Sequence, residues 1–262
     1  MSIDVTWLGH STVVLDVDGA RLLTDPLLRR RAGLLHRRGP APAPETWQGS
    51  DTVLLSHLHH DHADVRSLDL LAAGTPVVTA PQNVGWLLRR RLTGISPAPG
   101  QWISLPHSPS VSVRLCPAVH HARPMPHRPN GVTGHLVRST AGAIWFAGDT
   151  SLFAGMSRIP EDAGTTIALA LVPISGWGPR LSEGHMGPSE AAEACAVVGA
   201  RCAVPVHWGT LHVPGGSNLP RGWMDRPRAA FVAAMSERAP DCRVLSLRIG
   251  ERRRVPGDAE VS

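Results

Sequence analysis

No apolar run in the 262 residues approaches the roughly 18 that a membrane helix needs, so a helical span is excluded. No Cys-x-x-Cys pair is present either. Cys116, Cys195, Cys202 and Cys242 stand apart, which argues against a zinc ribbon or a thiol redox motif and fits buried thiols in a reducing compartment. The chain has no Gly-x-Ser-x-Gly elbow and no phosphate-binding Gly-x-x-x-x-Gly-Lys-Ser/Thr loop, which disfavours a serine nucleophile and nucleotide hydrolysis. Lysine and tyrosine are missing altogether. All 26 cationic side chains are therefore arginine, and with 26 Gly and 24 Pro this reads as the codon bias of a GC-rich gene. The net charge of +5 and the Arg clusters at 29–31, 37–38, 89–91 and 252–254 are read first as a solvated basic face. The N-terminal MSIDVTWLGHSTVVLDV alternates like a strand and carries acids where a signal peptide has a basic region, so the cytoplasm is the expected compartment.

What is present fits one large domain. The hydrophobic fraction of 42% is ordinary for a globular chain and argues against disorder. Short apolar or alternating runs at 3–8, 12–17 and 20–24, split by Gly-His and Asp-Gly, predict a hairpin meander. The Arg-, Gly- and Pro-rich stretch 27–44 reads as a loop, and TVLLS at 52–56 as a buried strand. A helix is expected over 65–73, then a strand at 76–80 and a helix near 83–92. Strands are expected at 101–105, 110–116, 132–139 and 143–146. The last third alternates between strand (166–173, 202–206, 243–249) and helix (189–198, 227–238). A β-rich half followed by β-α units predicts an α+β fold of layered αββα type, with residues 1–252 as a single domain and 253–262 as a frayed tail.

Histidine carries the chemistry. Directly after TVLLS comes His57-Leu58-His59-His60-Asp61-His62. Residues i and i+2 leaving a strand point the same way, so His57 and His59 can chelate one metal, while Asp61 and His62 on the turn can face a second. Two such pairs do not close two sites. The missing ligands must come from later strand ends, and His120 (CPAVHH), Asp149 (FAGDT) and His207 (VPVHW) each follow an apolar strand.

These segments, with WLGHS, LTDPLL and the Gly-His-Met at 184–186, resemble the metallo-β-lactamase-fold hydrolases over nearly the whole chain. The pattern looks most like the branch holding L-ascorbate-6-phosphate lactonases and N-acyl-phosphatidylethanolamine phospholipase D-like proteins. The resemblance implies a four-layer αββα sandwich with His57, His59 and His120 on a first metal. Asp61, His62 and His207 would bind a second, with Asp149 bridging. It implies a metal-bridging hydroxide as nucleophile, since two Lewis acids acidify water. An all-nitrogen-and-oxygen donor set suits Zn²⁺, and Mn²⁺ or Fe as well. The choice of His120 over the adjacent His121 rests on the alignment of the motif. Asp25 of TDP resembles a carboxylate that orients a ligand imidazole, and His10 of GHS a turn residue bordering the cleft. His185 would contact substrate or assist proton transfer.

The expected function is a binuclear metal-dependent hydrolase of an ester-type bond, foremost a phosphodiester, with Asp61 and His185 handling protons. A lactonase or other carboxylic-ester hydrolase is the alternative, and a non-catalytic metal- or ligand-binding member of the fold comes after it. The expected partner is a small or lipid-like anionic substrate, with no specific nucleic acid; a homo-oligomer is compatible with this reading. His36, His60, His107, His127, His135 and His212 are given no role. Trp177, Trp208 and Trp223 are read as core before pocket wall.

Overall fold

The computed structural model describes residues 2–106, 108–120 and 127–257. The strands in chain order are β1 (Ile3–Gly9), β2 (Thr12–Val17), β3 (Ala20–Thr24), β4 (Arg31–Ala32), β5 (Leu35–Arg37), β6 (Thr52–Leu54), β7 (Pro76–Val78) and β8 (Thr93–Ile95). They continue as β9 (Ile103–Leu105), β10 (Ser108–Cys116), β11 (Gly134–Ser139), β12 (Gly142–Phe146), β13 (Ile167–Pro173), β14 (Cys202–Val206), β15 (Leu211–His212), β16 (Arg243–Val244) and β17 (Arg252–Arg254). The α-helices are α1 (Pro44–Trp47), α2 (Val65–Leu68), α3 (Pro81–Leu88), α4 (Ile159–Ala163), α5 (Pro188–Val197) and α6 (Arg226–Arg238).

Among the described residues, two seven-stranded sheets form, in the orders β17-β1-β2-β3-β6-β7-β8 and β16-β14-β13-β12-β11-β10-β9. Each is antiparallel on one side and parallel on the other: β3, β6, β7 and β8 run parallel, as do β12, β13, β14 and β16. Burial on both faces explains the unbroken apolar runs. Strand alternation sorts the first sheet's side chains cleanly. Val13, Leu15, Leu22, Leu54 and Val78 face the second sheet in the larger core. Their neighbours Val14, Leu23, Val53 and Val77 face outward onto Leu68 of α2 and Trp86 and Leu87 of α3. On the far side α5 and α6 pack together, and Ala191, Cys195, Phe231 and Met235 join the larger core. This is the expected α+β, αββα sandwich.

Several local expectations need correction. The stretch 27–44 contains the small hairpin β4–β5, which pairs with β15. The helix expected over 65–73 stops at Leu68, and the strand expected over 243–249 is only Arg243–Val244. The boundary drawn after residue 252 falls inside β17, which pairs antiparallel with β1, and Val255 behind it is buried. A run of three arginines has no apolar pattern to betray a strand. It is tolerated because β17 is a solvent-facing edge where charge blunts further pairing.

The topology gathers the chemistry at one end. His10, Asp25 and the 57–62 segment follow β1, β3 and β6, whose carboxyl ends point the same way. His120, Asp149 and His207 follow β10, β12 and β14, which are likewise co-directional in the second sheet.

Candidate metal centre

The donors converge from both sheets. His57, His59 and His120 form one group, with ligand atoms all within 4.8 Å of one another; His10, Asp61, His62 and His207 form another on the same criterion. Asp149 stands between them. Its Oδ2 lies 3.1 Å from His62 Nε2, 3.1 Å from His207 Nε2 and 3.8 Å from His57 Nε2. His121 lies outside the described residues, as does His107.

Four of the imidazoles are aimed by a partner on the other nitrogen. His62 Nδ1–H donates to Asp25 Oδ2 over 2.6 Å, leaving Nε2 for the centre. Asp25 is itself held by Ser56, which donates from its backbone N (2.7 Å) and its hydroxyl (2.6 Å). The Ser56 hydroxyl also lies 2.9 Å from His57 Nδ1. His120 Nδ1–H donates to the Gly184 carbonyl and His207 Nδ1–H to the Ser175 carbonyl, both over 2.9 Å. Such outer partners fix tautomer and ring orientation. Asp25 thus accepts from His62 on one side and Ser56 on the other.

His10 is deeper than a cleft-border residue. It is buried, its Nε2 lies 3.0 Å from Asp61 Oδ2, and its ring is 4.1 Å from that of His207. Burial, with the His207 charge adding to it, pushes its pKa down to about 3, so the neutral ring donates Nε2–H to Asp61. His185 Nε2 lies 3.2 Å from Asp149 Oδ2 and its Nδ1 3.0 Å from the Ser182 hydroxyl. Asp149, a carboxylate, accepts from Nε2–H, while Nδ1 also lies 3.2 Å from the Ser182 carbonyl oxygen.

The backbone is strained where the buried donors sit. His10, Asp25 and His207 take φ values of +52°, +30° and +61°. Non-glycine residues rarely adopt such values without a surrounding structure that enforces them. Gly148 (φ +63°) is obligatory: a Cβ there would meet Ser56 Cβ at 2.7 Å, so only glycine lets the Asp149 turn close against β6.

Two buried polar atoms at the centre, His57 Nε2 and Asp149 Oδ1, have no hydrogen-bond partner among the described residues. Unpaired buried groups are costly, and here they face a space ringed by nitrogen and carboxylate donors, as a cation requires. The electrostatics agree. Burial opposes charge on His62 and His207, yet the carboxylates of Asp149 and Asp61 overcome it, raising His62 well above its usual value and His207 to about 9. Burial, with the His62 charge adding to it, drives His57 well below its usual value and His59 down to about 4, so both are neutral and ready to ligate. The carboxylates demand positive charge, and in its absence imidazolium supplies it. The residues fit a metal.

The sequence pattern gave no sign of several supporting residues. Ser56, next to the motif, is the least hidden. Arg128 Nη1 donates to the carbonyls of Leu58 (2.7 Å) and Ala63 (3.1 Å), and Asn130 Oδ1 accepts from Leu58 N (2.6 Å). Together they clamp the 57–62 loop from 70 residues away. The tryptophans divide: Trp208 is buried and stacks on Trp7 at 5.0 Å, Trp223 is buried, and Trp177 is exposed. His135 is a core histidine and His60 faces a side cavity.

A family model described as a beta-lactamase superfamily domain matches residues 20–208. The chain belongs to that superfamily, and the αββα fold and the His/Asp centre agree with it. A metal-dependent hydrolase of Deinococcus radiodurans is 33% identical over 208 residues, 78% of this chain and 83% of that one. The N-acyl-phosphatidylethanolamine-hydrolyzing phospholipase D 1 of Caenorhabditis elegans is 27% identical over 232 residues, 78% of this chain. The match covers 63% of that relative, so the chain spans less than two thirds of its length. Among solved structures, a metallo hydrolase of Ignicoccus hospitalis superposes with a TM-score of 0.71 at 23% identity, covering 98% of this chain and 99% of its own. No helix among the described residues is long and apolar enough to cross a membrane.

Proposed function

We propose that the protein is a binuclear hydrolase of phosphodiester bonds, holding one divalent ion on His57, His59 and His120 and a second on Asp61, His62 and His207. Asp149 would be shared between them, and Zn²⁺ suits the donor set best. The observation that carries this reading is the position of Asp149: Oδ2 lies among His57, His62 and His207 while Oδ1 is buried without a partner. A carboxylate with one oxygen central and the other unclaimed suits a bridge. When bound, the two ions would supply Lewis acidity and acidify water enough to make it a nucleophile near neutral pH.

The chain's own residues do the rest. Asp61, held on Oδ2 by His10, accepts a proton from the attacking water on its other oxygen. His185 Nε2–H, now directed at Asp149 Oδ2, sits at the mouth of the centre beside His120, with ring centroids 4.7 Å apart. From there it donates to the charge that develops on the leaving oxygen. The phosphodiester is favoured over a lactone by likeness to a relative named for hydrolysing N-acyl-phosphatidylethanolamine. The test is turnover by the metal-loaded protein of bis-p-nitrophenyl phosphate against a panel of lactones. Chelator-sensitive cleavage of the diester is expected; turnover confined to lactones would replace phosphorus by a carbonyl carbon as the target.

A further inference from the structure

A cavity of about 800 Å³ lies against the outside of the loop that carries His57–His62. Arg29, Arg30, Arg31, Arg66 and Arg128 line it, together with His60, which sits between His59 and Asp61 in the chain. Among the described residues the one carboxylate in the lining is Asp64, whose Oδ2 accepts from Ser67 N (3.1 Å) and the Ser67 hydroxyl (2.6 Å) at the start of α2. No ion pair engages any of the five arginines among the described residues. Elsewhere on the molecule Arg21, Arg38, Arg114 and Arg238 each meet a carboxylate.

Arg128 makes the cavity more than a basic surface. Its side chain is buried, with the guanidinium 5.0 Å from the centre of the Trp86 ring. Nη1 is spent on the carbonyls of Leu58 and Ala63, while its other nitrogens have no partner among the described residues. A guanidinium with an unclaimed edge and four further cations outnumber the one carboxylate, Asp64, in the described lining and make a net-positive concave field that an anion balances. Planar N–H forks match the oxygens of a phosphoryl group, and a single negative charge would leave most of the cations unmatched. The described lining holds no Trp or Phe on which bases could stack, which disfavours single-stranded nucleic acid as the occupant.

We propose that this cavity is a binding site for an oxyanion with two or more negative charges, of the phosphate-monoester or pyrophosphate class. Its assignment to a charged group of the substrate, away from the bond that is cut, rests on the hydrolase reading above; the binding of the oxyanion does not. A bound anion would touch Arg128 on one edge while Arg128 holds the metal-bearing loop with the other.

The test is calorimetric titration of the metal-loaded protein with pyrophosphate at low ionic strength. The comparison is with Arg66→Gln and the double variant Arg29→Gln/Arg31→Gln, all positions outside the metal centre. The metals also bind phosphate, so wild type is expected to show two binding events. The variants should keep their metal and weaken one event by about tenfold or more for each guanidinium removed, and that event should weaken further with added salt. A single event indifferent to all three substitutions would overturn the proposal. Two further arms identify the source. If the oxyanion is part of the substrate, the variants raise KM for a diester bearing an extra phosphate monoester but not for bis-p-nitrophenyl phosphate. If it is a lipid headgroup, the variants lose retention on phosphatidic acid vesicles relative to phosphatidylcholine. Absence of turnover on every ester, with the pyrophosphate event intact, would remove the hydrolase reading and leave the site standing.

Discussion

The two donor groups of the centre are built differently. His57, His59 and His120 form an open group: His59 and His120 are only half-buried, and His120 is aimed by a backbone carbonyl. His10, Asp61, His62 and His207 form a closed group, all buried, with His62 aimed by the Asp25 carboxylate. The strained backbone at His10, Asp25 and His207 also falls on the closed side. Strain concentrated there implies that neighbouring packing holds that group in place before any ligand arrives. The open group meets solvent and, under the proposed function, is the side that receives substrate. One half of the centre is preorganised for holding, the other for access.

The most destructive way to break the comparison is to remove what the halves share. Asp149→Ala should abolish activity and lower metal content, because His62 and His207, 3.1 Å apart, then lose the carboxylate 3.1 Å from each and keep only Asp61, 3.7 Å from each. Metal analysis and turnover check this; an active, fully loaded variant would refute the bridge. Next comes His185→Ala, which should keep its metal yet lower kcat by roughly 10²-fold, through loss of a proton donor used in the transition state. The loss should shrink with p-nitrophenolate as leaving group, which needs little protonation. Equal kcat for both variant and wild type on an unactivated diester would return His185 to a structural role.

Asp25→Asn separates the halves. Asparagine tolerates the positive φ and keeps the shape, but it cannot offer Ser56 and His62 a charged acceptor. Metal affinity of the closed group should fall about 10–100-fold, while that of the open group changes less. Competition with a chelating dye would measure both, and equal weakening of the two would show that they are not separately held.

The smallest effect lies away from the centre. His135 is buried against Phe146, with Nε2–H donating to the Val78 carbonyl over 3.0 Å, and burial pushes its pKa from 6.5 to about 4. Below pH 6.5 the unfolded chain takes up the proton first, so this residue's stabilising share is complete above 6.5 and is lost as pH falls toward 4. His135→Gln should therefore lose up to about 3 kcal/mol less stability than wild type between pH 7 and 4. Parallel unfolding curves across that range would contradict it.

Legibility in the sequence followed the same division between what is local and what is assembled. The motif at 57–62 is contiguous, so its period and composition expose it, and the apolar strands before Asp149 and His207 mark those residues as strand-end groups. The αββα layering was readable because both sheets are buried on both faces and so read as unbroken apolar runs. The clamp of Arg128 and Asn130 on Leu58 and Ala63 was not readable, since only the closed fold brings residues 65 to 72 positions apart together. The hairpin β4–β5 was hidden by its Arg- and Gly-rich composition, because a short exposed hairpin needs no apolar pattern. His10 was read as a turn residue, and its place against Asp61 follows from packing between β1 and the 57–62 loop.

The central claim is that two unequal groups, joined by Asp149, hold two ions. Metal content per chain, followed by mass spectrometry as a chelator is raised stepwise, tests it most directly. Two ions should be present at the start, the first should leave at low chelator with loss of activity, and the second should leave only at a distinctly higher concentration. A fully loaded protein with one ion per chain, or two ions lost together in a single step, would contradict it.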